Sequence, residues 1–302
     1  MFGAIEAGGT KFVCAVGCDP TNLTITQLPT TSPKETTAQA MEFLRASSGG
    51  KLQAVGIGSF GPVDLSPASP TFGHITSTPK LGWQNFDFVG TVRAALDVPI
   101  GFETDVNAAA LGEARWGAAQ SISDFVYLTI GTGIGGGVIV NGQILHGLVH
   151  PEMGHIRIPH DRQRDPYRGC CPFHGDCLEG LASGPAIQER WGRPAPELPM
   201  DHPAWVLEAQ YLAFGLANWV CTLSPKRIVL GGGVMQKEWL LPLIRTELVR
   251  LLNGYVQSTE LTQNVDQYVV PAKLGNRAGI AGALVLAQQA YQELQSRLSS
   301  IG

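Results

Sequence analysis

Residues 155–177 carry the densest chemical signal in the chain. They include His155 and the run Gly169-Cys170-Cys171-Pro172-Phe173-His174-Gly175-Asp176-Cys177. Cys171-x2-His174-x2-Cys177 places three nitrogen and sulfur ligands on one tight loop, and His155 is the best fourth. Two thiolates and two imidazoles suit a tetrahedral zinc ion, and four protein ligands leave no open position, so the metal would be structural. The other reading is a loop of free thiols, and Cys170 is a rival ligand that neighbours Cys171 and should point elsewhere. Glu152 and Glu179 flank the loop. They are either solvated acids or two carboxylates aimed at a polyhydroxylated ligand.

A second group of residues is nearly bare backbone. Gly8-Gly9-Thr10-Lys11, Gly131-Thr132-Gly133-Ile134-Gly135-Gly136-Gly137 and Gly231-Gly232-Gly233 each follow an apolar run. Gly131 to Gly136 satisfies the dinucleotide spacing G-x-G-x-x-G, but an apolar strand follows it where that motif needs a helix, so the Rossmann reading is rejected. No Gly-Lys-Ser/Thr follows the first glycines, which excludes a Walker A loop. Successive N–H groups in such turns form a concave anion site. Thr132 would add a hydroxyl and Lys11 a cation. One glycine turn is weak evidence; two equivalent ones and a third run point to a nucleotide. Asp105 and Asn107 stand where a strand gives way to a small-residue helix. They read either as a helix cap or, for Asp105, as a general base for a hydroxyl under phosphoryl transfer.

The elements that position these residues follow a repeated plan. Residues 3–16 and 125–140 each read as strand, glycine turn, strand. Residues 54–62 and 227–235 each read as a strand running into a glycine turn. Helical periodicity is clearest over 204–223 and 276–298, with a shorter helix over Asn107–Trp116 and a helix opened by Ser183-Gly184-Pro185. Residues 46–50, 66–70 and 192–203 read as loops. The order hairpin, helical stretch, strand therefore occurs twice and predicts two related α/β halves with a cleft between them. The hairpins recur after about 122 residues and the later turns after about 173, so the second half carries an insertion of about 50. Residues 150–200, with most of the His and Cys, are its place.

Composition bounds the function. The chain has 302 residues, 44% apolar and 15% charged, which suits about two globular domains rather than a disordered chain. A net charge of -4 argues against a nucleic-acid partner. The longest uncharged run, Phe125 to Pro151, is broken by glycines and reads as strands rather than a membrane span. The residues from Met1 to Glu6 show no secretory signal, so a cytoplasmic protein with reduced thiols is expected.

In order along the chain, these motifs resemble the ROK family of sugar kinases and regulators, within the actin/hexokinase-like (ribonuclease H-like) superfamily. The resemblance rests on Gly8 to Lys11, Gly58 to Asp64, Thr104 to Ala110, Thr129 to Gly136, Glu152 to His155, the cysteine cluster, Glu179 to Gly184 and Leu230 to Val234. It implies Asp105 as catalytic base. It implies Thr104, Glu152, His155 and Glu179 around a sugar, and His155, Cys171, His174 and Cys177 on structural zinc. Gly9, Thr10, Lys11, Thr132, Gly133, Pro185, Gly231, Gly232 and Gly233 would contact ATP, which brings Mg²⁺. The first domain would be residues 1–109, joined by a C-terminal helix at 284–302, and the second 110–283 with the zinc insertion. Glu6 stands where the wider family usually has Asp, and Thr104 where it often has Asn. Thr104, Phe60 and the loop from His74 to Phe88 look like the fructokinase branch. Expected is an ATP-dependent kinase acting on fructose, in a homodimer without nucleic-acid or membrane partners. A gluco- or mannokinase and a sugar-sensing regulator are the alternatives.

Overall fold

Each half of the chain begins with apolar alternation around a glycine turn, and each builds a sheet on that hairpin. The computed structural model describes residues 1–300. They fall into two units.

The first unit comprises Met1–Gln120, His146–His150 and the chain from Asn276. Its strands and helices are β1 (Phe2–Ala7), β2 (Lys11–Gly17), β3 (Leu23–Pro29), α1 (Pro33–Ser48), β4 (Val55–Ser59), the short β5 (His74–Ile75) and β6 (Phe86–Asp87), α2 (Phe88–Leu96), β7 (Ile100–Thr104) and α3 (Asp105–Trp116). The sheet order is β3-β2-β1-β4-β7. The first three strands pair antiparallel; β4 and β7 join parallel to β1. Helix α1 starts where Ser32 accepts the Glu35 N–H and ends at left-handed Gly49, so the loop expected from residue 46 begins three residues later. The core gathers Ile5, Phe12, Leu44, Ile57 and Phe88 around buried Trp83.

The second unit comprises Ser121–Leu145 and Pro151–Gly275. It holds β8 (Phe125–Ile130), β9 (Ile134–Val140), β10 (Gln143–Ile144), α4 (Leu178–Ala182), α5 (Gly184–Trp191), α6 (Ala204–Leu223), β11 (Arg227–Gly231), α7 (Leu240–Leu252), α8 (Thr259–Thr262), α9 (Val265–Tyr268) and β12 (Val269–Pro271). Its sheet runs β10-β9-β8-β11-β12, with three antiparallel strands and then two parallel ones. The pairing pattern is that of the first sheet, so the repeat read in the sequence is a repeat of topology.

The insertion has a definite place in that repeat. Residues 30–32 join β3 to α1, whereas residues 145–203 join β10 to α6. It has little regular structure, yet Met153, Ile158, Leu178, Leu181 and Ile187 enter the same core as the second sheet.

Helix α10 (Ala278–Ser299) closes the first unit. It packs on α3 with the two backbones touching, because Gly112 and Gly282 omit side chains: a Cβ on Gly282 would overlap the Ala108 carbonyl. Among the described residues no helix is long and apolar enough to cross a membrane.

One buried acid lies outside any expected site. Glu208 on α6 is 1% exposed, and neither carboxyl oxygen has a hydrogen-bond partner. Burial pushes its pKa well above the ordinary carboxylate range, against a smaller pull from Arg190. A carboxyl with a raised folded pKa loses stability as pH climbs from the unfolded value, about 4.5, through the folded one. Glu208→Met should therefore raise the melting temperature at pH 8 by several degrees, about 1–3 kcal/mol, and by less at pH 5. Paired thermal melts at the two pH values check this; an equal or lower melting temperature at pH 8 contradicts it.

Candidate functional site

In the first unit, strand β7 delivers a carboxylate to the start of α3. Thr104 is the N-cap, its hydroxyl accepting the Asn107 N–H at 3.1 Å. Asp105 is thus the first helical residue rather than the cap, and Oδ1 accepts the Val106 N–H at 2.9 Å. Asp105 is half-buried, whereas Thr104 is buried with its oxygen engaged in capping. The local sequence explains the placement: a hydroxyl cap followed by an acid in the first turn satisfies the helix's open N–H groups and its dipole.

Glu103 was missed by the sequence reading. It is buried, and Oε2 accepts from Asn107 Nδ2 at 2.8 Å and the Thr104 N–H at 3.2 Å. Its Oε1 lies 2.6 Å from His146 Nε2. The hydrogen bond that His146 donates to Glu103 raises the His146 pKa. Glu103 therefore ties both the turn before Asp105 and the 146–150 segment to one carboxylate. No spacing rule links residues 103 and 146; only the fold brings them together.

The β1–β2 turn shows the expected shape. The Gly8 N–H bonds the Lys11 carbonyl at 2.9 Å, and Gly9, Thr10 and Lys11 are exposed. Glu6, just before it, fits because Gly279 has no Cβ. Burial raises the Glu6 carboxyl to about 7, with the Asp105 charge adding to the rise and Lys11 opposing it.

In the second unit the insertion folds against the glycine turn. The Gly131 N–H bonds the Gly133 carbonyl at 2.9 Å, and the Gly131 carbonyl accepts the Gly184 N–H at 2.7 Å. The Ile134 N–H donates to Glu179 Oε2 at 2.9 Å. Thr132 is exposed, with Gly133 half-buried beside it. Pro185 stands in the first turn of α5, capped by Ser183 as expected. After β11, Gly232 adopts a φ of 92°, and a side chain there would strike the Ile130 backbone. Gly231 is buried and Gly233 exposed.

His155, Cys171, His174 and Cys177 place one ligand atom each within 4.8 Å of one another. His155 Nδ1 is 3.6 Å from both sulfurs, and His174 Nδ1 is 3.6 Å from Cys171 Sγ. Bonds of about 2.0–2.3 Å to a tetrahedral ion separate its ligands by roughly 3.3–3.8 Å, so the donor set fits zinc in both chemistry and spacing. Cys170 points away, its Sγ 3.7 Å from Ser183 Oγ. Around the loop, Asp176 receives Arg157 at 2.9 Å, Arg162 at 2.8 Å and His160 at 3.2 Å. Its hydrogen bond from Arg162, followed by that from His160, holds the carboxyl down at about 2. Deeper, Asp165 accepts from Tyr211 at 2.6 Å and from Arg190 at 3.2 Å, tying the insertion to α6. These ionic ties also escaped the sequence reading.

Glu152 is exposed at the start of the short 3-10 turn Met153–His155. Its carbonyl accepts the His155 N–H at 3.0 Å. Glu179, the second residue of α4, faces His155: Oε1 lies 3.8 Å from Nε2.

Two mixed sheets of matching topology, each opening on a glycine hairpin, define an actin-like α/β kinase fold. The ROK family model matches residues 2–290, and the chain belongs to that family. A Bacillus subtilis protein is 50% identical over 97% of both chains. The fructokinase of Pediococcus pentosaceus is 43% identical over 97% of this chain and 99% of its own. Among solved structures, the ROK hexokinase of Thermus thermophilus aligns with a TM-score of 0.78 at 30% identity, covering 97% of this chain and 99% of that one. A ROK glucokinase from Streptomyces griseus, solved with glucose and AMPPNP, aligns at a TM-score of 0.74 and 28% identity, covering 95% and 99%.

Proposed function

We propose that the protein transfers the γ-phosphoryl group of ATP to the 6-hydroxyl of D-fructose, giving D-fructose 6-phosphate and ADP. The observation that carries the sugar assignment is a gradient in likeness. Fructokinases from four bacteria are 41–43% identical to the chain, whereas the glucokinases it resembles are 27–28% identical.

Asp105 takes the O6 proton as O6 attacks the γ-phosphorus. The bond to the β,γ-bridging oxygen breaks, and ADP carries away that electron pair. A sugar hydroxyl is a poor nucleophile, and a half-buried carboxylate fixed at the start of a helix is placed to accept its proton. Thr104, Glu152, His155 and Glu179 bind and orient the sugar. Gly9, Thr10, Lys11, Thr132, Gly133, Pro185 and Gly231 to Gly233 receive the nucleotide. ATP arrives with Mg²⁺, which neutralises phosphate charge. His155, Cys171, His174 and Cys177 would hold a zinc ion, which would supply no chemistry to the transfer and would fix the loop that carries His155 and Glu179. The protein works in the cytoplasm as a homodimer, with its hexose and MgATP as small-molecule partners.

The test is a coupled ADP-release assay with MgATP and fructose, glucose, mannose or N-acetylglucosamine. Turnover strongest on fructose is expected. Stronger turnover on glucose or mannose keeps the mechanism and replaces the substrate. Silence on all four, with zinc bound and the protein folded, overturns the kinase reading and brings forward a sugar-sensing regulator.

A further inference from the structure

Glu179 does something in the fold that sugar contact does not require. Its Oε2 accepts the Ile134 N–H at 2.9 Å, inside the turn that joins β8 to β9. The carboxylate lies so close to this turn that a Cβ on Gly133 would come within 2.6 Å of Oε2. Three residues before the bonded N–H, the Gly131 carbonyl accepts the Gly184 N–H at 2.7 Å. Both ends of the turn are thus held by the segment that follows the cysteine loop. That segment is anchored in turn: Cys177 is the N-cap residue of α4, and His155 Nε2 stands 3.8 Å from Glu179 Oε1. His155 presents its other nitrogen, Nδ1, to the two sulfurs. A carboxylate behind a ligating imidazole is the usual arrangement for fixing both the ring and the carboxylate.

We propose that Glu179 is a positioning residue for the nucleotide: it holds the Gly131–Ile134 turn in its phosphate-accepting form, so that the metal loop sets nucleotide affinity as well as sugar contact. The inference rests on the reading of this turn as a nucleotide site. Glu179 does not touch phosphate. A carboxylate aimed at phosphate would repel it; by occupying the Ile134 N–H it instead fixes the direction of the turn's other donors, at Thr132 and Gly133. A backbone cradle binds anions only when its N–H groups converge. An unbraced glycine turn samples many conformations and loses that convergence.

The experiment is calorimetric titration of MgADP into the zinc-loaded protein without sugar. It compares wild type, Glu179→Ala and Glu179→Gln, with folding checked by circular dichroism. Glu179→Ala should weaken MgADP by about tenfold, the size expected for losing a hydrogen bond to a charged group. Glu179→Gln keeps an acceptor oxygen for the Ile134 N–H and should bind MgADP nearly as wild type. Removing zinc from wild type should weaken MgADP to a similar degree, and removing it from Glu179→Ala should add little. Unchanged affinity in Glu179→Ala overturns the proposal and leaves Glu179 a sugar contact alone. Equal weakening in both variants also overturns it, because the charge rather than the acceptor would then matter. If Glu179→Ala does not fold, the glutamine variant and the zinc arm still decide. Absence of MgADP binding by wild type overturns the nucleotide reading itself, and this inference with it.

Discussion

Replacing Asp105 by Asn should lower kcat on fructose by about a thousandfold, within the range that general-base catalysis contributes. The side chain keeps its shape, and Asn Oδ1 can still accept the Val106 N–H that Asp105 accepts at 2.9 Å. Thr104 still caps α3, and Glu103 still holds Asn107. The substitution therefore removes a charge and a proton acceptor while leaving the helix start in place. Sugar affinity, read by calorimetry without nucleotide, should change by less than about threefold, so the loss falls on kcat rather than KM. A second readout follows from Glu6. The Asp105 charge adds to the burial that lifts the Glu6 carboxyl to about 7. A group with a raised folded pKa contributes stability that is full below its unfolded pKa and lost as pH rises through the folded one. For Glu6 that window runs from pH 4.5 to about 7. With Asp105 neutralised the Glu6 pKa falls, so the fall in melting temperature across this window should become shallower. Near-normal turnover in Asp105→Asn would remove Asp105 from the chemistry, whatever the melts show.

The parts of this design that are legible in the sequence are those written in local pattern. Apolar alternation broken by Gly8-Gly9 and by Gly131 to Gly133 can only turn back on itself, and both hairpins form. The repeat was visible because each glycine run follows a strand of similar length, and the two sheets share one pairing pattern. The clustering of Cys171, His174 and Cys177 was legible because they lie three apart on a loop too short to separate them, and the fold adds His155. What was not legible depends on distance along the chain. His146 meets Glu103, and Tyr211 meets Asp165, across gaps that no periodicity spans. The cap at α3 is Thr104, one residue before Asp105 and three before Asn107, the two candidates in the sequence: Thr, Asp and Asn are all good N-caps, and types alone cannot choose. The backbone chose Thr104, whose extended φ and ψ of -66° and 156° precede the helix. The role of Glu179 was half legible: an acid two residues after a metal ligand suggested a site, but its bond to the Ile134 N–H needed the fold.

With zinc on the four ligands as proposed, stripping it, or replacing Cys177 by Ser, should unfold the insertion before the rest of the chain. Cys177 is fully buried and Cys171 is 6% exposed, so the two sulfurs sit in a folded interior that metal bonds would organise. Structural zinc contributes on the order of 10 kcal/mol in small domains that are otherwise unfolded. Here the loss should be smaller, because Leu178, Leu181 and Ile187 belong to the core of the second unit and hold without the ion. The Asp165 ties to Tyr211 and Arg190 also remain. A net loss of a few kcal/mol lowers the melting temperature by about 5–10 °C for a unit of this size. The melt should also split, with the insertion opening first as a local unit. Hydrogen exchange locates the effect. Amides between His155 and Gly180, including Cys171 and Gly175, which bond each other at 2.9 and 3.2 Å, should lose protection on chelation. Amides of β1, β2 and β4 in the first unit should keep theirs. Asp176 gives an internal control: Arg157, Arg162 and His160 gather on it at 2.8–3.2 Å independently of any metal. If those ion pairs, and not the ligand set, organise the loop, complete chelation verified by metal analysis leaves both the melt and the exchange unchanged, and the four ligands are then free thiols and imidazoles in a loop that folds by charge alone.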